Sequence, residues 1–170
     1  MNLYLKFVDR LCDAAAAVAG VFMLALFALG LVEIVLRSFF ATSLSIAVEY
    51  SGYMLVITLF LGSGWTLRQG GHIRVTLASE RLSPSARRIL DIVCTIAGLL
   101  VAAFISFALL RYGLGTLERG TLSYFSSATP LAIPQLLLAA GPCVLTLAMS
   151  ARLTRLLRGE PPDLSHAAET

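Results

Sequence analysis

Residues 14–32 read AAAAVAGVFMLALFALGLV, a run of 19 residues without a charge. A helix needs roughly 20 apolar residues to cross the hydrocarbon of a bilayer, because each backbone amide must find its partner within the same segment. The run therefore predicts a first transmembrane helix from about Ala14 to Phe39. It is longer than the apolar core of a secretory signal and no convincing cleavage site closes it, so we interpret it as an uncleaved span.

Three further apolar stretches have the same character. They run from about Glu49 to Leu67, from about Ile89 to Leu110 and from about Ile133 to Ser150. The sequence therefore predicts an all-α integral membrane protein with four transmembrane helices, built as one domain over residues 1–158. Residues 159–170 form a polar tail that we expect to be disordered.

Local signals agree with the last two spans. Ser83 places a capping hydroxyl before Pro84, and proline is favoured at the first position of a helix. Thr129, Pro130 and Pro134 mark the start of the fourth helix.

The composition favours lipid as the solvent and offers no reactive set of side chains. The chain is 58% hydrophobic and only 14% charged, which leaves too little charge to cover a soluble domain. The two histidines lie outside the apolar runs, and the three cysteines have no metal-like spacing. We therefore expect no cofactor, no metal site, no enzymatic activity and no nucleic-acid partner.

The basic residues predict the orientation. Four spans put both termini and the middle loop on one side, which holds ten basic residues against three on the other. The ten are Lys6, Arg10, Arg68, Arg74, Arg81, Arg87, Arg88, Arg152, Arg155 and Arg158; the three are Arg37, Arg111 and Arg119. Basic residues in short loops stay in the cytoplasm, so both termini are predicted to be cytoplasmic.

The middle loop begins where Gly70 and Gly71 interrupt the second helix. Residues 72–83 alternate apolar and charged side chains, which predicts a short amphipathic segment on the inner interface. An ordinary interfacial loop is the alternative.

The second external segment, Arg111 to Ala128, contains Glu118, Arg119, Tyr124 and Phe125 among glycines and serines. Aromatic side chains suit the headgroup zone, and loops often carry recognition. We expect an external partner to dock here, with a simple linker as the alternative.

Charges inside the spans suggest one further site. Glu33 and Arg37 are one helical turn apart, and Glu49 opens the second span on the same side of the membrane. Because embedded charges are costly, we hypothesise that Arg37 joins both acids in a polar cluster that locks the first two spans together. Alternatively, the Arg37 side chain extends to the outer surface.

Several short motifs carry a family resemblance. Val-Leu-Arg37 closes the first span and Val48-Glu49-Tyr50 opens the second, followed by Phe60-Leu-Gly-Ser-Gly-Trp65. The inner loop has Arg68-Gln-Gly-Gly71-His72-Ile73-Arg-Val75, and Ser127-Ala-Thr129-Pro130-Leu-Ala-Ile-Pro134 precedes the last span. In this order, over about Leu3 to Leu157, the sequence resembles the small membrane subunit of tripartite ATP-independent periplasmic (TRAP) transporters.

The resemblance implies a scaffold in the bacterial inner membrane. In this family a periplasmic solute-binding protein captures an organic acid, and a large membrane subunit carries it inward along an ion gradient. The small subunit braces the large one and helps form the docking face, so the implied partners are these two proteins and the membrane lipids. The sequence agrees, because it has few intramembrane polar groups and no broken helix pair of the kind that transporters use to bind solute.

A small multidrug exporter, which works as a homodimer, is the competing interpretation. Such a protein also has four spans and a glutamate in the first. Glu33, however, lies near the outer end of its span and is spaced to pair with Arg37.

Overall fold

The computed structural model describes residues 3–71, 83–125 and 127–161, and these form four helices. The helices are α1 (Leu3–Phe40), α2 (Ala47–Arg68), α3 (Pro84–Arg119) and α4 (Ala132–Arg158). The predicted inner segment with His72, Ile73 and Val75 lies outside the described residues, as does most of the polar tail.

The helices are longer than the predicted spans. Helix α1 starts eleven residues before Ala14, and α3 continues past Leu110 to Arg119. A span ends where apolar residues end, whereas a helix continues through charged turns that leave the hydrocarbon. Glu118 and Arg119 are consequently part of α3 and not of a loop, which corrects the predicted external segment.

The predicted capping signal before α3 is confirmed. The Ser83 hydroxyl accepts from the Ala86 amide at 3.4 Å, with proline in the first turn. Gly120 and Gly159 close the two helices with φ angles of 60° and 74°, a left-handed conformation that glycine adopts without strain.

The helices run up and down and pack unequally. Helices α1, α2 and α4 contact one another, whereas the packing of α3 is almost entirely against α4. The core between α1, α2 and α4 consists of Leu5, Val8, Cys12, Ala15, Ala19, Ile57, Leu61, Leu67, Val144, Ala148 and Ala151. We call the end where α1 begins and α4 ends the terminal end, and the opposite end the loop end.

Small residues permit the closest helix contact. A Cβ atom placed on Gly141 would lie 2.6 Å from the backbone carbon of Phe60, so only glycine fits where α4 crosses α2. On α3, a Cβ atom on Gly113 would lie 2.9 Å from the side chain of Leu136 in α4. The backbones therefore meet near the middle of α2 and α4, without an intervening side chain.

The outer faces of α1 and α3 are apolar and uncovered. Val21, Leu24 and Phe27 of α1 are exposed, as are Leu100 and Phe104 of α3. Among the described helices, α1, α3 and α4 are long and apolar enough to cross a membrane. Helix α2 is shorter, and three glycines and several hydroxyl side chains dilute its apolar residues. Its crossing of the bilayer and the orientation of the termini stay predictions.

Candidate functional site

Glu49 forms the centre of a polar cluster at the loop end. Its side chain stands in the first turn of α2, and the residue is only 4% exposed. One carboxylate oxygen accepts a hydrogen bond from the Tyr53 hydroxyl at 2.7 Å, and the other accepts from the Ser127 hydroxyl. A buried carboxylate is costly unless it is hydrogen-bonded, and two hydroxyl donors meet that need here.

The same cluster extends through the connection between α3 and α4. The Thr129 hydroxyl donates to the Ser127 hydroxyl at 2.9 Å and lies 3.1 Å from the Tyr50 hydroxyl of α2. We call Tyr50, Tyr53, Ser127 and Thr129 together with Glu49 the Glu49 cluster. It attaches the base of the α3–α4 loop to the start of α2.

The α3–α4 loop, described for residues 120–125 and 127–131, is a narrow hairpin. An isolated bridge pairs Leu122 with Pro130, and the Ser123 amide donates to the Thr129 carbonyl at 2.8 Å. At its tip Tyr124 is fully exposed and Phe125 is about half exposed. These predicted docking residues therefore stand at the tip of a loop whose base is fixed by hydrogen bonds.

The two prolines that were predicted to mark the start of the fourth helix lie outside the Glu49 cluster. Pro130 belongs to the bridge of the loop, and Pro134 is the third residue of α4, where a helix leaves its amide without a partner in any case. Both suit proline because neither position requires an amide donor.

The structure does not bring Arg37 and Glu49 together. Arg37 donates to one oxygen of Glu33 at 2.8 Å, and the other oxygen accepts from the Leu44 amide at 2.8 Å. The Arg37 side chain is 71% exposed, whereas that of Glu33 is 18% exposed. Glu33 thus ties the end of α1 to the turn that leads into α2, and both of its oxygens are engaged. That leaves little support for a role as the exchanging acid of an exporter.

A second cluster, absent from the sequence prediction, lies at the terminal end. The Arg155 guanidinium of α4 lies 2.8 Å from both carboxylate oxygens of Asp9 in α1. Arg68, at the end of α2, donates to the Asp9 carbonyl at 2.7 Å and to the Asp13 carboxylate at 2.9 Å. We call Asp9, Asp13, Arg68 and Arg155 the Asp9 cluster; it joins all three helices of the core.

The sequence carried a signal for this cluster. Asp9 and Asp13 are one turn apart, and Arg68 and Arg155 close two helices that end on the same side of an up-and-down arrangement. The sequence analysis used these arginines only to predict the orientation and named no partners for them. Gly71 follows Arg68 closely, and its amide donates to the Thr66 carbonyl at 2.9 Å, which ends the helix.

Polar contacts also attach α3 to α4. The Ser106 hydroxyl lies 3.0 Å from that of Thr146, and Arg152 donates to Thr95 at 3.3 Å although it is only 6% exposed. Within residues 3–71, 83–125 and 127–161, no three metal-ligating side chains come together. The polar side chains described above bind one another, so the arrangement holds helices in register.

The comparisons with known proteins give one finding. The family described as tripartite ATP-independent periplasmic transporters, DctQ component, matches residues 26–159, which is more than three-quarters of the chain. No curated protein matches the chain.

Proposed function

We propose that this chain, which belongs to the DctQ component family of TRAP transporters, is the non-transporting scaffold of such a transporter. In this role it braces a large membrane subunit and helps to dock a periplasmic solute-binding protein. The transporter as a whole would take up an organic acid along an ion gradient.

The observation that carries the scaffold role is the bonding of the acidic groups at the two ends of the helical core within this chain. A transport site needs polar groups that a solute or ion can reach within the bilayer. Here Asp9 and Glu49 are bonded to side chains of this same chain, at opposite ends of the helices. The middle of the core is formed by small and apolar residues. Such a unit can support a partner, but it offers a solute little to bind.

The orientation follows from the basic residues. If both termini face the cytoplasm of a bacterium, the Asp9 cluster lies at the inner surface and the α3–α4 loop at the periplasmic surface. The exposed aromatic side chains of Tyr124 and Phe125 would then face a periplasmic protein. Aromatic side chains are frequent at the centres of protein interfaces.

Reconstitution tests the scaffold role. The purified chain in liposomes with an ion gradient should take up no solute, whereas addition of the large membrane subunit and the binding protein should restore uptake. The large subunit should also co-purify with this chain. Solute uptake by this chain alone would overturn the proposal.

Docking is tested on the assembled transporter. Replacement of Tyr124 and Phe125 by alanine should raise the KM for solute-loaded binding protein and leave the co-purification of the large subunit unchanged. Phe40→Ala, an exposed aromatic residue at the same end, is the matched control. An unchanged KM in the double variant would refute the docking role of the loop.

A further inference from the structure

Arg111 and Arg119 stand on the face of α3 that points away from the rest of the chain. Residues Ala102, Ser106 and Thr116 are buried on the side that packs against α4. The opposite side carries Arg111, Gly115 and Arg119 on successive turns of the helix, since residues four apart share a helix face. Neither arginine forms a hydrogen bond or ion pair with any other part of the described chain.

The two arginines border one groove. It has a volume of about 450 Å³ and is lined by Phe104, Phe107, Arg111, Tyr112, Gly115 and Arg119. The Arg119 guanidinium folds back over Gly115, where a Cβ atom would lie 3.2 Å from its nearest nitrogen. Gly115 therefore leaves room for this guanidinium on the side towards Arg111.

The groove lies at the boundary between hydrocarbon and headgroups. Residues 92–110 are uncharged, and these 19 residues of helix span about 28 Å, close to the thickness of the hydrocarbon. Arg111 follows directly, so both guanidinium groups lie near the headgroups while Phe104 and Phe107 face the acyl chains. A guanidinium stays charged at every accessible pH, and it binds phosphate through two parallel hydrogen bonds.

We propose that this groove binds one anionic phospholipid. Its phosphate lies between Arg111 and Arg119, and an acyl chain follows Phe104 and Phe107. The positive charge without a partner among the described residues, the apolar side chains below it and its depth in the bilayer together match this ligand. A face of the large membrane subunit is the competing occupant, and the crosslinking experiment below distinguishes it from a lipid.

Native mass spectrometry of the purified chain tests the site with phosphatidylglycerol and phosphatidylcholine as probes. Wild type should retain phosphatidylglycerol more strongly than phosphatidylcholine, and the variant R111Q/R119Q should lose about tenfold in phosphatidylglycerol affinity, as expected for loss of charge-assisted hydrogen bonds. Arg37→Gln, an exposed arginine at the same end, should bind as wild type.

Three results would overturn the proposal. They are equal retention of both lipids, unchanged phosphatidylglycerol binding by R111Q/R119Q, and efficient capture of the large membrane subunit by a photo-crosslinker placed at Phe107 in the assembled transporter. Because lipid retention is measured without transport, its failure is distinguishable from a failure of the scaffold role.

Discussion

The two ends of the helical core are held by different chemistry. At the terminal end, charged side chains from α1, α2 and α4 form the Asp9 cluster, with Arg68 and Arg155 each 13% exposed. At the loop end, one carboxylate is surrounded by neutral hydroxyl groups. The first arrangement fixes three helices against one another, whereas the second fixes a loop on one helix. The comparison indicates that the terminal end sets the register of the core and that the loop end positions a surface.

The largest effect is expected midway between the two ends, where α2 and α4 touch. Gly141→Ala places a Cβ atom 2.6 Å from the Phe60 backbone, which cannot move aside as a side chain can. The helices must separate, and we expect a loss of about 3 kcal/mol, the upper part of the range for overpacking. Thermal unfolding in detergent measures it.

Gly20→Ala is the matched control, since a Cβ atom there would meet no atom within 4 Å. Equal stability of the two variants would show that α2 and α4 do not meet as described. The roles assigned to the two ends of the core, which depend on this contact, would then need revision.

The next effect is expected at the terminal end. Asp9→Asn removes the only carboxylate in contact with Arg155 among the described residues, so a largely buried guanidinium loses its ion pair. The cost should be about 2 kcal/mol, between the values for exposed and fully buried pairs. The unfolding temperature should fall accordingly.

Asp13→Asn makes the same chemical change one turn away. Its side chain is 55% exposed and accepts a single hydrogen bond, so the loss should stay below about 1 kcal/mol. If both variants lose the same stability, the Asp9 cluster does not set the register of the core.

A smaller effect on stability than that of Asp9→Asn is expected at the loop end. Glu49→Gln keeps the shape of the side chain, and the surrounding hydroxyl groups can turn to pair with an amide, so the cost should be about 1 kcal/mol. The local effect is larger: a looser α3–α4 loop should be cut faster by chymotrypsin after Tyr124 or Phe125. Glu118→Gln is the control at the same end, and equal cleavage rates in the two variants would contradict the anchoring role of Glu49.

Much of the helical architecture could be predicted from the sequence because it depends on neighbouring residues. Apolar runs mark the helices, and Ser83 and Gly159 mark helix ends through contacts within a few positions. Helix lengths could be predicted less well, because residues such as Lys6 and Glu118 remain helical where the chain is no longer apolar.

The partners in the two clusters could not be predicted, because they are far apart in the sequence. Ser127 reaches Glu49 across 78 positions, and Arg155 reaches Asp9 across 146. Which acid meets which base follows from α4 packing beside both α1 and α2, and periodicity says nothing about that choice. The hypothesis that grouped Arg37 with Glu49 relied on their shared side of the membrane, and a shared side does not establish contact.

The packing of α3 on α4 alone has a consequence for biosynthesis. If α2 crosses the bilayer as predicted, α1 and α2 can associate as soon as both have left the translocon, since their contact is extensive. Helix α3 emerges third and has no substantial surface to meet until the last helix follows it. Until then the polar side chains of α3, including Thr95 and Ser106, lack the hydrogen-bond partners that α4 provides. A ribosome that stalls before α4 would therefore leave a half-assembled protein whose third helix is exposed to membrane quality control.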